Sequence, residues 1–136
     1  MYLKQFETIL SCDSCTTAWR HRLNAKSLGY FGTGECFVFT LAPEVRCYKW
    51  VGSRAAAAGE ADGVKGASLS QLPQMFQAAD ARTLLVGGGG GGAVIRLDHD
   101  FCKCSSRQCD TFASPPLVPS GDFECATVEV IGFTSS

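Results

Sequence analysis

The chain has 136 residues, 46% of them hydrophobic and only 18% charged. That length fits one domain, and the balance excludes global disorder, which needs low hydrophobicity and high net charge. A formal charge of −1, with scattered basic residues, argues against nucleic acid as a partner, since phosphate binding needs clustered Lys and Arg.

In chain order, residues 1–31 mix apolar, polar and basic side chains. Asp13 or Ser14 is placed to cap a short helix through Thr16 to Leu23. Cys36-Phe37-Val38-Phe39-Thr40-Leu41 is rich in aromatic and β-branched residues, and Val45 to Val51 alternates around Tyr48 and Trp50. These predict two strands, with Ala42-Pro43-Glu44 supplying the turn between them. Ser53 to Leu72 breaks the pattern with Ala55-Ala56-Ala57-Ala58-Gly59 and later Gly and Ser residues. It reads as an Ala/Gly-rich insertion, a surface loop or a partly disordered segment. Pro73-Gln74-Met75-Phe76 predicts one helical turn. Leu84-Leu85-Val86, Ala93 to Leu97 and Phe123 to Ile131 predict further strands. At least five strands and little helix imply a mainly β (α+β) fold built on antiparallel sheets.

No apolar run reaches the ~18 residues of a membrane-spanning helix. The N-terminus lacks the basic-then-apolar layout of a secretory signal, so the expected location is cytoplasmic. Eight cysteines stand at 12, 15, 36, 47, 102, 104, 109 and 125. A disulfide framework would rely on secretion, so we read them as reduced thiols. Cys12-x-x-Cys15 has zinc-knuckle spacing, but Cys102-x-Cys104 with Cys109 beyond is an awkward second half, and we assign no metal.

Gly87 to Gly92 is the most conspicuous segment. A phosphate loop would need Lys and Ser/Thr at fixed places, and Ala93-Val94 follows instead. Each glycine inside an element costs about 0.5–1 kcal/mol relative to alanine, so six in a row imply a crowded backbone crossing or a partner-facing loop. Asp98-His99-Asp100 could attract a divalent ion, yet no downstream Glu completes a calcium loop, and a turn after a strand accounts for it. Cys109 with His99 and Asp110 could form a thiol nucleophile and base if the fold brought them together. Glu35, between Gly34 and an apolar strand, is the carboxylate of most interest: structural pairing is the first reading and catalysis the second.

Gly29-Tyr30-Phe31-Gly32-Thr33-Gly34-Glu35-Cys36-Phe37-Val38-Phe39 resembles the signature of the TLDc domain. The resemblance continues through Pro43-Glu44, Tyr48-Lys49-Trp50, Gly52, Leu85-Val86, the glycine run and Leu97-Asp98-x-Asp100. It runs on through Ser105-Ser106, Cys109-x-Thr111-Phe112, Pro116-Leu117, Asp122-Phe123 and Val128-Glu129-Val130-x-Gly132-Phe133. The first block and the insertion after Trp50 are most similar to TLDc domains that follow a Rab GTPase-activating TBC domain. No I-x-x-D-x-x-R or Y-x-Q element of a TBC domain is present. Relative to the family pattern, Cys102-Lys103-Cys104 stands where a glycine- and basic-rich turn is usual, Ser114 at a common Asn position, and Ile131 for a usual Trp.

The resemblance implies a two-sheet antiparallel β-sandwich with short flanking helices. With only Ile9-Leu10-Ser11 and Ala18-Trp19-Arg20 ahead of the Thr-Gly-Glu block, the chain is expected to be a single TLDc domain lacking its N-terminal part. The implied function is a non-enzymatic interaction module with no cofactor. It would act in oxidative-stress resistance and in regulation of the vacuolar proton pump or vesicle traffic, binding pump subunits peripherally at vesicle or lysosomal membranes. The candidate binding residues are Glu35, Gly87, Gly88, Gly89, Gly90, Asp98 and Asp100. The alternative is a thiol- or carboxylate-dependent enzyme using Cys109 or Glu35.

Overall fold

The structure, a computed structural model, describes residues 29–53 and 72–128. Among the described residues, eight strands form two antiparallel sheets. The larger runs β1-β4-β5-β6-β7-β8 and the smaller is the hairpin β2-β3. The strands are β1 Tyr30–Phe31, β2 Phe37–Thr40, β3 Arg46–Lys49, β4 Gln77–Ala79, β5 Thr83–Val86, β6 Ile95–Asp98, β7 Cys104–Ser105 and β8 Asp122–Phe123.

The small sheet follows from alternation. Along β2, Val38 and Thr40 point inward, while Phe37 and Phe39 lie on the other face with ring centroids 6.1 Å apart. Register pairs Phe37 with Lys49 and Thr40 with Arg46. A cis Ala42–Pro43 bond sits in the connecting turn, where Thr40 Oγ1 donates to the Glu44 carbonyl at 2.9 Å.

In the large sheet, β4 and β5 form a hairpin whose turn is organised by Asp80. Its carboxylate accepts the Arg82 and Thr83 backbone N–H groups, both at 2.8 Å, as aspartate does in Asx turns. The core lies between the sheets and joins Val38 from β2 and Val86 from β5 to Cys36, Phe76, Val94, Cys109 and Phe112. Burying apolar side chains from two facing sheets in one cluster is what defines a sandwich.

Several expectations need correction. Pro73 to Phe76 is irregular rather than helical and leads directly into β4. The strand expected from Val45 to Val51 ends at Lys49, and residues 51–53 are helical. Trp50 explains the break. Its indole N–H donates to the Pro73 carbonyl at 2.8 Å, and its ring stands edge-on to Phe76 with centroids 5.5 Å apart. Of the strand expected from Phe123 to Ile131, only Phe123 is paired, as the second residue of β8, residues 124–128 are irregular, and 129–131 lie outside the described residues. The helix expected after Ser14 and nearly all of the 53–72 insertion also lie outside the described residues. No helix among the described residues is long and apolar enough to cross a membrane.

Candidate functional site

The glycine run connects β5 to β6 and is closely packed. Gly87 donates its N–H to the Phe76 carbonyl at 2.8 Å. At its φ of +72° a side chain is strained, and a Cβ there would lie 2.5 Å from Cys109 Sγ. At Gly88 a Cβ would meet Met75 at 2.7 Å and Tyr30 Oη at 3.0 Å. Only hydrogen fits at either place.

What crowds this loop is a second one. Cys109 and Ser114 exchange backbone hydrogen bonds of 3.0 and 3.1 Å, closing a tight turn over 109–114. The Gly88 carbonyl gathers that turn. It accepts the N–H groups of Asp110 and Thr111, each at 3.2 Å, together with the Thr111 hydroxyl at 3.2 Å and the Cys109 thiol at 3.4 Å. Val51 N–H donates to the Thr111 carbonyl at 3.1 Å, so the turn also reaches the segment after β3. The carboxylate of Asp110 lies over Gly89 and Gly90. A cleft of about 360 Å³ opens beside the turn, lined by Gln108, Cys109, Asp110, Ala113, Ser114 and the two prolines that follow. Tyr30 and Met75 flank the glycines and are 44% and 40% exposed. Burial, and secondarily the nearby Cys109 thiol, push the Tyr30 hydroxyl above its ordinary pKa.

The sequence-predicted residues fall into three separate places. Gly87 to Gly90 form the loop at the Ile95 end of β6. Asp98 ends the strand and Asp100 lies just past it, with three strand steps of about 3.4 Å each between Ile95 and Asp98. Glu35 occupies the turn before β2, in the other sheet. It is exposed, with its N–H donating to Thr33 Oγ1 at 3.4 Å, so the cost of burying a charge does not govern it.

At the Asp98 turn, Asp98 Oδ1 accepts the His99 backbone N–H at 2.8 Å and meets His99 Nδ1 at 3.1 Å. Asp100 Oδ1 accepts the Cys102 N–H at 3.0 Å. The ring hydrogen bond from His99 is the first cause, and the backbone one the second, that holds the Asp98 carboxyl below the ordinary aspartate range. The ligand atoms of Asp98, His99 and Asp100 lie within 4.8 Å of one another. Hydrogen bonds within the turn already account for both carboxylates.

His99 stands at the far end of β6 from Cys109, so the fold does not assemble a thiol–imidazole pair. Cys109 is 1% exposed and gives its thiol to Gly88. Among the described residues, the cysteines do not gather into a metal-ligand cluster, and Cys12 and Cys15 lie outside them. Sequence reasoning missed Tyr30 and Met75 as neighbours of the glycines, since nothing in their local pattern ties them to a loop nearly sixty residues away from Tyr30. Thr111 carried a signal only through the Cys109-x-Thr111-Phe112 block.

The TLDc domain profile matches residues 15–134, nearly the whole chain. This chain belongs to the TLDc family. It is 40% identical over 123 residues to the GTPase-activating protein skywalker of Drosophila melanogaster, covering 88% of this chain and 19% of the relative. It is 32% identical over 148 residues to TBC1 domain family member 24 of Xenopus tropicalis, covering 87% of this chain and 26% of the relative. It is 32% identical over 105 residues to oxidation resistance protein 1 of Homo sapiens, covering 77% and 10%. The TLDc chain thus spans about a quarter or less of the length of these relatives.

Proposed function

We propose that this TLDc chain is a non-enzymatic protein-binding module serving oxidative-stress resistance and vesicle traffic, with subunits of the vacuolar proton pump as its partner. It would act on the cytoplasmic side, held peripherally at vesicle or lysosomal membranes. The observation that carries the reading is the match across residues 15–134 to a family whose relatives include skywalker and oxidation resistance protein 1. The geometry supports a binding role over a chemical one. Among the described residues, Cys109 beside the glycine loop is buried against a carbonyl, whereas Tyr30 and Met75 present apolar surface next to it. Aromatic and methionine side chains of this kind are enriched in protein interfaces.

Pull-down of the pump's peripheral sector by residues 1–136 tests the proposal, with Glu35→Gln and Tyr30→Ala as variants. Capture by the parent chain, weakened by Tyr30→Ala at unchanged melting temperature, is the expected result. Absence of capture by a cooperatively folded parent chain would overturn the pump assignment. Glu35 loses its assigned part if Glu35→Gln captures as well as the parent.

A further inference from the structure

The β2–β3 hairpin turns one face to the core and the other away from it. Val38 and Tyr48 are partners on the inner face, and both belong to the core or pack against it. Cross-strand partners share a face, so Phe37 with Lys49 and Phe39 with Cys47 make up the outer side. Alternation carries Leu41 and Val45, the next residue on each arm, onto that same side. Apolar side chains thus fill this outer stripe, except for Lys49 at one end. Among the described residues, the core cluster and its half-buried neighbours include neither Phe37 nor Phe39. Exposure rises toward the turn, to 43% at Leu41 and 75% at Val45.

Charge is segregated to match. Lys49, at the end away from the turn, is exposed and makes no salt bridge among the described residues. At the turn, charge stays on the Thr40 and Arg46 side of the hairpin. Glu44 Oε2 accepts hydrogen bonds from Arg46 Nε and Nη2 at 2.9 and 2.6 Å, so the two charges there cancel.

The size of the stripe decides what covers it. Three rungs, at about 3.4 Å per residue and about 4.8 Å between strands, cover roughly 200 Å². A stable protein interface buries about 800 Å² on each partner, so neither a second copy nor another protein gains enough here. A bilayer sets no such threshold. Its hold scales with the apolar area buried and with the attraction of cations for anionic lipid. The long stem of Lys49 lets its ammonium stay at headgroup level while the stripe beside it is buried.

We propose that the outer face of the β2–β3 hairpin is a lipid-contacting surface, lying in the interfacial layer of a bilayer that contains anionic lipid. Leu41, Val45 and the two phenylalanines face the acyl boundary, and Lys49 meets a headgroup phosphate or carboxylate. The proposal rests on the peripheral attachment put forward above, though not on the pump assignment. A single small contact of this kind holds reversibly and adds to whatever else retains the chain at the membrane.

Co-sedimentation of the whole 136-residue chain with phosphatidylcholine vesicles, with and without phosphatidylserine, tests it. The parent should bind both and bind the anionic vesicles more tightly. The double variant Leu41→Ser/Val45→Ser should bind about tenfold more weakly to either, at unchanged melting temperature because both positions are exposed. Val45→Ser alone repeats the test if the double variant melts early. Lys49→Gln should lose about fivefold on the anionic vesicles and nothing on the neutral ones. Arg96→Gln removes the same charge from the large sheet and should change neither. A cooperatively folded parent that stays in the supernatant would overturn the proposal, as would undiminished binding by the serine variants. A lipid-free dimer that those variants abolish would instead assign the stripe to a second copy. Pump capture without vesicle binding sinks this proposal alone, and vesicle binding without capture sinks the pump assignment alone.

Discussion

The two connections of β6 are built on opposite principles. At its start, the glycine loop is ordered from outside. The 109–114 turn sits on it, and the Gly88 carbonyl receives that turn's donors. At its end, the Asp98 turn is ordered from within, by carboxylates that accept neighbouring backbone N–H groups and by the Phe101 N–H donating to the Asp98 carbonyl at 3.0 Å. A loop held by another loop tolerates little added volume where a buried group faces it, as Cys109 and Phe112 face Gly87, whereas a turn held by its own side chains loses only a hydrogen bond when one of them changes. The first kind is therefore readable from steric demand and the second from residue type.

Substitutions that remove or add volume at the glycine loop should have the largest effects. Phe112→Ala deletes a ring with 0% exposure and should cost about 4 kcal/mol by denaturant unfolding. Gly87→Ala combines left-handed strain with a clash against Cys109 and should cost about 3 kcal/mol in the same assay. Gly90→Ala meets only the Asp110 carboxylate, whose end can rotate away, and should cost about 1 kcal/mol, mostly backbone strain at φ +58°. Asp100→Ala, in the self-contained turn, should cost about 0.5–1 kcal/mol, the loss of one capping hydrogen bond. If Asp100→Ala proved as damaging as Gly87→Ala, the contrast between the two connections would be wrong.

The smallest effect depends on acid. The Asp98 carboxyl is held below the ordinary aspartate value of 3.8, first by the His99 ring and then by the His99 backbone N–H. A folded pKa below the unfolded one favours folding at every pH above the unfolded value, and that contribution disappears as pH falls through the folded one. Asp98→Asn should therefore be less stable than the parent near neutrality and converge on it in acid. Denaturation midpoints at pH 6 and at about pH 2 would show the convergence.

The well-patterned strands were legible in the sequence, and the reasons for the misses are physical. Phe37 to Thr40 and Leu84 to Val86 carry β-branched or large apolar residues and were found within a residue or two of their ends. β4 is Gln77-Ala78-Ala79, fully buried yet without alternation or bulk, because strands on both sides supply its pairing. Gln77 is satisfied there with help from a bond to Cys36 Sγ at 3.3 Å, a partner 41 residues away that no local pattern reveals. Two-residue strands such as β1 and β7 are too short for any periodicity. The glycine run was legible as a crowded crossing. What crowds it was not, because the 109–114 turn lies about twenty residues downstream and meets it only in the fold.

Trp50 and Pro73 meet through one hydrogen bond, so the chain leaves the small sheet and returns to the large one at nearly the same point. The two ends of the intervening stretch are held together by this bond and by the sheets that they adjoin. Closing a loop whose ends are already joined depends only weakly on its length, about 0.6 kcal/mol for each doubling. Doubling the number of residues between Trp50 and Pro73 should therefore lower the stability of the sandwich by only about 0.6 kcal/mol, read from denaturant unfolding.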